Sequence, residues 1–147
     1  MFVRISAQDA LDGGWTLGDS VTYARTLREI GADLIDVSSG GFAGGQFLPG
    51  PSYQVPFARR VREGAGLPTM AVGLVTSAGE AEAAIAEGSD DLVALGRTAL
   101  DNPNWPLHAH HELAAGEDFY AQWPLPAGYA VRNMDRSLNR RRFVKAG

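Results

Sequence analysis

The densest chemistry in the 147-residue chain lies at Val93-Ala94-Leu95-Gly96-Arg97-Thr98. An apolar run ends at a glycine, an arginine follows, and a short helical turn is expected to begin. Glycine lets a ligand approach the backbone closely, a helix start offers free N–H groups, and a guanidinium adds a fixed charge with paired donors. Together they outline an anion site whose natural occupant is a phosphate. The alternative is a turn glycine beside a surface arginine. Twenty-three residues before Gly96, Ala71-Val72-Gly73-Leu74 ends another apolar run in a glycine. In eightfold α/β barrels the loops after the seventh and eighth strands commonly build a phosphate site.

Arg4 sits between Phe2-Val3 and Ile5, inside an apolar run where an unpaired charge is costly. It either points at an anionic ligand or a buried carboxylate, or lies on an edge strand in water. Ser38-Ser39-Gly40-Gly41 opens a loop through Gly44, Gly45 and Gly50, read as a flexible active-site loop or a plain connection. It matches no nucleophile elbow, dinucleotide fingerprint or P-loop. His108 and His111 share a helix face, but His110 points away and only Glu112 is near, so no metal site is expected. Asp9, Asp12, Asp33 and Asp36 form no acid/base pair at catalytic spacing, and Asp33 and Asp91 read as caps ahead of strands.

These residues need a scaffold, and the composition supports one. At 45% hydrophobic and 20% charged, the chain can bury a core. With no cysteine, disulfides, thiolate metal sites and a cysteine nucleophile are excluded. No apolar run reaches the ~18–20 residues of a membrane span and no signal-peptide pattern opens the chain, so a cytoplasmic protein is expected. The net charge of -4 is uneven: six basic residues fall between Arg132 and Lys145, leaving an acidic body that argues against nucleic acid as the main ligand. The basic tail reads as a frayed, solvated terminus.

Four strand-length apolar runs stand out, at Met1–Ala7, Asp33–Ser38, Pro68–Gly73 and Asp91–Gly96. Near-continuous runs of this kind suit parallel strands covered on both faces. Helical patterns follow each: Gly18–Ile30, Pro56–Gly64, a stretch opened by the capping box Ser77…Glu80 and closed by Gly88, and Trp105–Ala115. Beyond Gly116 the periodicity fails, and Trp123-Pro124-Leu125-Pro126 reads as extended. The β-α alternation predicts right-handed βαβ units and a parallel sheet, either a small open α/β sheet or half of an eightfold barrel.

Seven segments in order resemble the old yellow enzyme family, in the NADPH dehydrogenase branch that includes xenobiotic reductases. They are FVRISA (Phe2–Ala7), GGWTL (Gly13–Leu17), GADLIDVSSGG (Gly31–Gly41), GPSYQVPFA (Gly50–Ala58), AVGLVT (Ala71–Thr76), DLVALGR (Asp91–Arg97) and NPNWPL (Asn102–Leu107). The resemblance implies an α/β fold of the (β/α)8 TIM-barrel type, with this chain supplying about four βα units as the C-terminal half-barrel. Residues 1–115 would form that half and 116–147 a C-terminal tail. It implies FMN as cofactor and NADPH or NADH as hydride donor, with Arg4 beside the flavin ring and Gly73, Gly96 and Arg97 on its phosphate.

In the family, hydride passes from NADPH to the flavin and then to an activated alkene of an enone-type small molecule. A His–His or His–Asn pair grips the carbonyl and a tyrosine supplies the proton. Those residues belong to the first four strands, so no catalytic residue is assigned here and the isolated chain is expected to be inactive. The expected partner is the missing N-terminal half-barrel, or a second copy through self-association, with no membrane and no nucleic acid. The other reading is a standalone or self-pairing phosphate- or flavin-binding module without catalysis.

Overall fold

The computed structural model describes residues 1–40, 49–114 and 118–144, with side chains described through residue 139. The glycine-rich loop through Gly41, Gly44 and Gly45 lies outside the described residues. Contacts divide the chain into two compact units, Met1–Pro103 and Asn104–Gly147.

The first unit runs β1 (Phe2–Ser6), α1 (Leu17–Glu29), β2 (Leu34–Ser38), α2 (Val55–Ala65), β3 (Thr69–Ala71), α3 (Ala78–Ala86), β4 (Leu92–Val93) and α4 (Arg97–Asp101). All four strands are parallel, in the order β1-β2-β3-β4. This is the α/β alternation that the apolar runs predict. The last two strands are shorter than those runs. Pro68 has no N–H to give a ladder, and Gly73 turns the chain away with φ +116°. Gly96 likewise leaves the strand region, at φ -96° and ψ -98°.

β2 lies inside the sheet and is buried on both faces, with Leu34, Ile35, Asp36 and Val37 all under a tenth exposed. Val21, Ala24 and Leu27 of α1 and Ala58, Val61 and Ala65 of α2 form one core cluster with Ile35 and Val37, which share one face of the strand. The two helices pack so closely at Gly64 that a Cβ there would lie 2.5 Å from Val21 Cγ1.

Helix starts are fixed locally. The Ser77 hydroxyl accepts from the Glu80 backbone N–H at 3.2 Å while Glu80 Oε2 accepts from the Ser77 N–H at 3.1 Å. The backbone donors of Thr76 and Ser77 hold the Glu80 carboxyl below its ordinary value. Thr16 and Asp19 make the same reciprocal pair at the start of α1.

Helix ends are fixed from outside. Arg25 and Arg28 of α1 donate to the carbonyls of Gly64 and Ala65, at 2.7 and 3.1 Å, where α2 finishes. Arg59 and Arg62 of α2 reach the carbonyls of Glu87 and Gly88 beyond α3, at 3.5 and 3.4 Å. Each helix thus answers the last, unsatisfied carbonyls of the next with two arginines three residues apart. Asp91 is no simple cap: it takes two hydrogen bonds from Arg62 and one from the Thr69 N–H.

The second unit holds α5 (Trp105–Leu113), a 3-10 turn at Phe119–Gln122 and α6 (Leu125–Val144). The frayed tail is corrected by α6, and the extended reading of Trp123–Pro126 holds only at its start, where Trp123 is extended at φ -77° and ψ 147° while Leu125 and Pro126 are helical. Pro126 falls in the first helical turn, where its missing N–H costs nothing. Gly128 is buried, and a Cβ there would lie 3.0 Å from Trp123 Cβ, so the helix packs tightly on its own lead-in. Arg132 pairs with Asp118 at 2.6 Å and the Tyr120 hydroxyl donates to Asp135 at 2.7 Å. His108 and His111 stack on Phe119, with ring centroids at 5.5 and 4.4 Å. No helix among the described residues is long and apolar enough to cross a membrane.

Candidate functional site

The C-terminal ends of parallel strands present their loops to one side, and the first unit has a pocket there of about 330 Å³. Arg4, Gly73, Gly96 and Arg97 all line it. Four residues singled out by type, spread over 94 positions, therefore converge on one place. The lining carries two arginines and no carboxylate, so its charge favours an anionic ligand.

Each of the four arrives for a local reason. β3 ends at Ala71, and Gly73 follows with φ +116°, a conformation that L side chains rarely adopt. A Cβ at Gly73 would also meet Tyr53 Cε1 at 3.0 Å and Gln54 Cγ at 3.1 Å, so the backbone is packed directly against the segment before α2. Leu74 continues in the left-handed region at φ +54°. Gly96 precedes the short α4, and a Cβ added there would meet nothing within 4 Å, leaving its backbone open to the pocket. Arg97 is exposed. The Thr98 hydroxyl donates to the Val75 carbonyl at 2.8 Å, tying the loop after β4 to the loop after β3.

Arg4 combines the two alternatives its sequence position allowed. β1 is an edge strand of this sheet and the Arg4 side chain is 58% exposed, yet its Nη1 donates to buried Asp36 Oδ2 at 2.9 Å.

Ser38 and Ser39, where the loop read as an active-site loop or a plain connection begins, line the same pocket with Thr98. Tyr53 and Gln54, which type and spacing did not single out, complete the wall. Gln54 is 3% exposed and gives its Nε2 to the Ser39 carbonyl and the Tyr53 hydroxyl, both at 2.6 Å. Its Oε1 is buried with no hydrogen-bond partner among the described residues. A glutamine ahead of a proline-started helix reads as a surface residue, and nothing local announces its burial.

An α/β unit with an anion-favouring pocket at its strand ends is the class of protein that fold and site define. The model of the NADH:flavin oxidoreductase / NADH oxidase family matches residues 1–115, and the chain belongs to that family, the old yellow enzyme family of TIM barrels. Three NADPH dehydrogenases are similar over 113 residues. Those of Geobacillus thermodenitrificans (strain NG80-2), Geobacillus sp. (strain WCH70) and Bacillus pumilus (strain SAFR-032) are 50%, 49% and 43% identical. The match covers 77% of this chain and 33% of each relative, so the chain spans about a third of the length of the curated relatives it matches.

Proposed function

We propose that the chain supplies the phosphate side of the FMN site in an NAD(P)H-dependent flavin oxidoreductase of the ene-reductase type. The observation that carries this reading is the convergence of Arg4, Gly73, Gly96 and Arg97 on one carboxylate-free pocket. The residues present fit the group. Arg97 offers a fork of donors to a phosphate, Gly96 and Gly73 let the backbone approach, and Arg4 adds charge at the side where a flavin ring would lie. FMN, when bound, accepts a hydride and passes it on; the chain's own residues bind and orient it. Arg97 would anchor the phosphate, and Arg4 would hold positive charge against the ring, favouring its anionic reduced form.

No histidine is among the described residues that line this pocket, and the Tyr53 hydroxyl there accepts from Gln54 Nε2 at 2.6 Å. We assign the family's carbonyl-gripping pair and proton-donating tyrosine to the barrel's first four strands and expect no turnover of 2-cyclohexenone by this chain alone, because no described lining residue supplies the pair that would orient an enone. Both edge strands of the sheet lack a further strand among the described residues, which favours completion by those four strands. Titrating the chain with FMN and with riboflavin, followed by flavin fluorescence, tests the reading. FMN is expected to bind tighter than riboflavin; equal affinity for the two would remove the phosphate assignment.

A further inference from the structure

Arg4 reaches the pocket from β1, and β1 alone does not explain where its guanidinium sits. The parallel register places Arg4 directly opposite Asp36 of β2. Asp36 has a side chain only 12% exposed, against 58% for Arg4, and its Oδ2 accepts from Arg4 Nη1 at 2.9 Å. Its other oxygen, Oδ1, is buried without a hydrogen-bond partner among the described residues. A buried carboxylate satisfied on one oxygen is costly. Ile35 and Val37 point to the opposite face of the strand, into the core beneath α1 and α2, so Asp36 shares its face with Leu34 and with Arg4, its register partner.

We infer that Asp36 is a positioning residue for Arg4, fixing the guanidinium so that its remaining donors face the flavin. The inference rests on the FMN reading above. A guanidinium carries five N–H donors, and the Asp36 contact engages one nitrogen. Without that tether, a side chain as exposed as Arg4 swings into water, where its charge is screened and acts weakly on the ring. A positioning role and a bare charge effect have opposite signs. Removing a negative charge near the flavin favours the anionic reduced form, whereas releasing Arg4 disfavours it.

The test titrates the full chain with oxidised FMN and, under anaerobic conditions, with dithionite-reduced FMN. The ratio of the two dissociation constants tracks the flavin's midpoint potential by linkage. Asp36→Asn should lower the preference for reduced FMN by about fivefold or more, toward the value of Arg4→Gln, as expected for a charge-assisted contact largely lost. In the Arg4→Gln background only the bare charge effect remains, so adding Asp36→Asn should leave the preference unchanged or raise it. Asp36→Glu keeps the charge and displaces the carboxylate by one methylene, so its intermediate shift reports geometry alone, and it carries the test if Asp36→Asn does not fold. A preference that rises or stays at the parent value in Asp36→Asn overturns the positioning role with the FMN reading intact. So does a further fall in the preference when Asp36→Asn is added to the Arg4→Gln background, or, where Asp36→Asn cannot be measured, a parent-like ratio in Asp36→Glu. Failure of the parent chain to bind either form of FMN overturns both.

Discussion

Arg62 grips Asp91 with two nearly parallel hydrogen bonds, Nε to Oδ2 at 2.8 Å and Nη2 to Oδ1 at 3.1 Å. The same carboxylate accepts from the Thr69 backbone at 3.0 Å, so one aspartate joins α2, β3 and the entry to β4. The guanidinium lowers the Asp91 carboxyl from its ordinary value. Each side chain is over a third exposed, which screens the pair, and Arg62→Ala is expected to cost about 0.5–1.5 kcal/mol at pH 7. A lowered carboxyl stabilises the fold above its unfolded value near ~3.9 and loses that contribution as pH falls through the lower folded value. Urea unfolding at pH 7 and pH 3 should therefore show the gap between parent and variant narrowing in acid.

Asp90, one residue earlier, behaves in the opposite way. It is 2% exposed, its Oδ1 accepts from the Thr69 hydroxyl at 3.0 Å, and its Oδ2 is buried without a partner among the described residues. Burial, helped by the neighbouring Asp91 charge, pushes its carboxyl up to about 6. The folded state therefore favours the protonated form. The associated stability is fully present below the unfolded value near ~3.9 and is lost as pH rises through about 6. Asp90→Asn should be more stable than the parent by about 1–3 kcal/mol at pH 7.5 and close to it at pH 4. Thermal unfolding at the two pH values checks this, and a variant less stable than the parent at both would refute the buried-charge account.

Helix propensity and packing disagree about Gly64. Replacing a mid-helix glycine by alanine ordinarily gains about 0.5–1 kcal/mol. The added Cβ would lie 2.5 Å from Val21 Cγ1, an overlap that the buried valine cannot evade without moving α1 against α2. Overpacking of that kind costs about 1–3 kcal/mol and wins, so Gly64→Ala should destabilise the chain. Adding Val21→Ala should recover part of the loss, and a double-mutant cycle by chemical denaturation measures the coupling.

Arg97→Ala should weaken FMN binding by roughly 10–150-fold, the range of a charged hydrogen bond worth ~1.5–3 kcal/mol, and leave riboflavin affinity nearly unchanged. Fluorescence titration of both ligands against parent and variant separates the phosphate from the ring. An equal loss for the two would move Arg97 away from the phosphate.

Sequence periodicity reached most of the first unit because its causes are local. The Ser77…Glu80 capping box lies within four residues, and Ile35 and Val37 alternate along β2 to share the face that packs with α1 and α2. The glycines at 73 and 96 were legible as backbone requirements at strand ends. The partner of Arg4 was not: Asp36 lies 32 residues away, and only the register of two parallel strands brings them together. Gln54 was invisible for a similar reason, since its burial comes from Ser39 and Tyr53 closing over it. α6 escaped because Pro124, Pro126 and Gly128 crowd its start and mask the helical spacing of Ala127, Val131, Met134 and Leu138, and its ties run through Asp118 and Asp135.

The paired arginines at 25/28 and 59/62 carry a consequence for any rearrangement of this chain. Because each pair completes the helix that follows it, the seam between neighbouring βα units runs through both, and neither unit is finished by itself. The segment β2–α2 lifted out and set in another α/β protein would arrive with two carbonyls unanswered at one border, and at the other Arg62 would lose both Gly88 and Asp91 while Arg59 kept only Glu63 of its own helix. Exchange of parts should succeed in blocks whose borders avoid these clamps, or where the host supplies arginines three apart on the helix ahead.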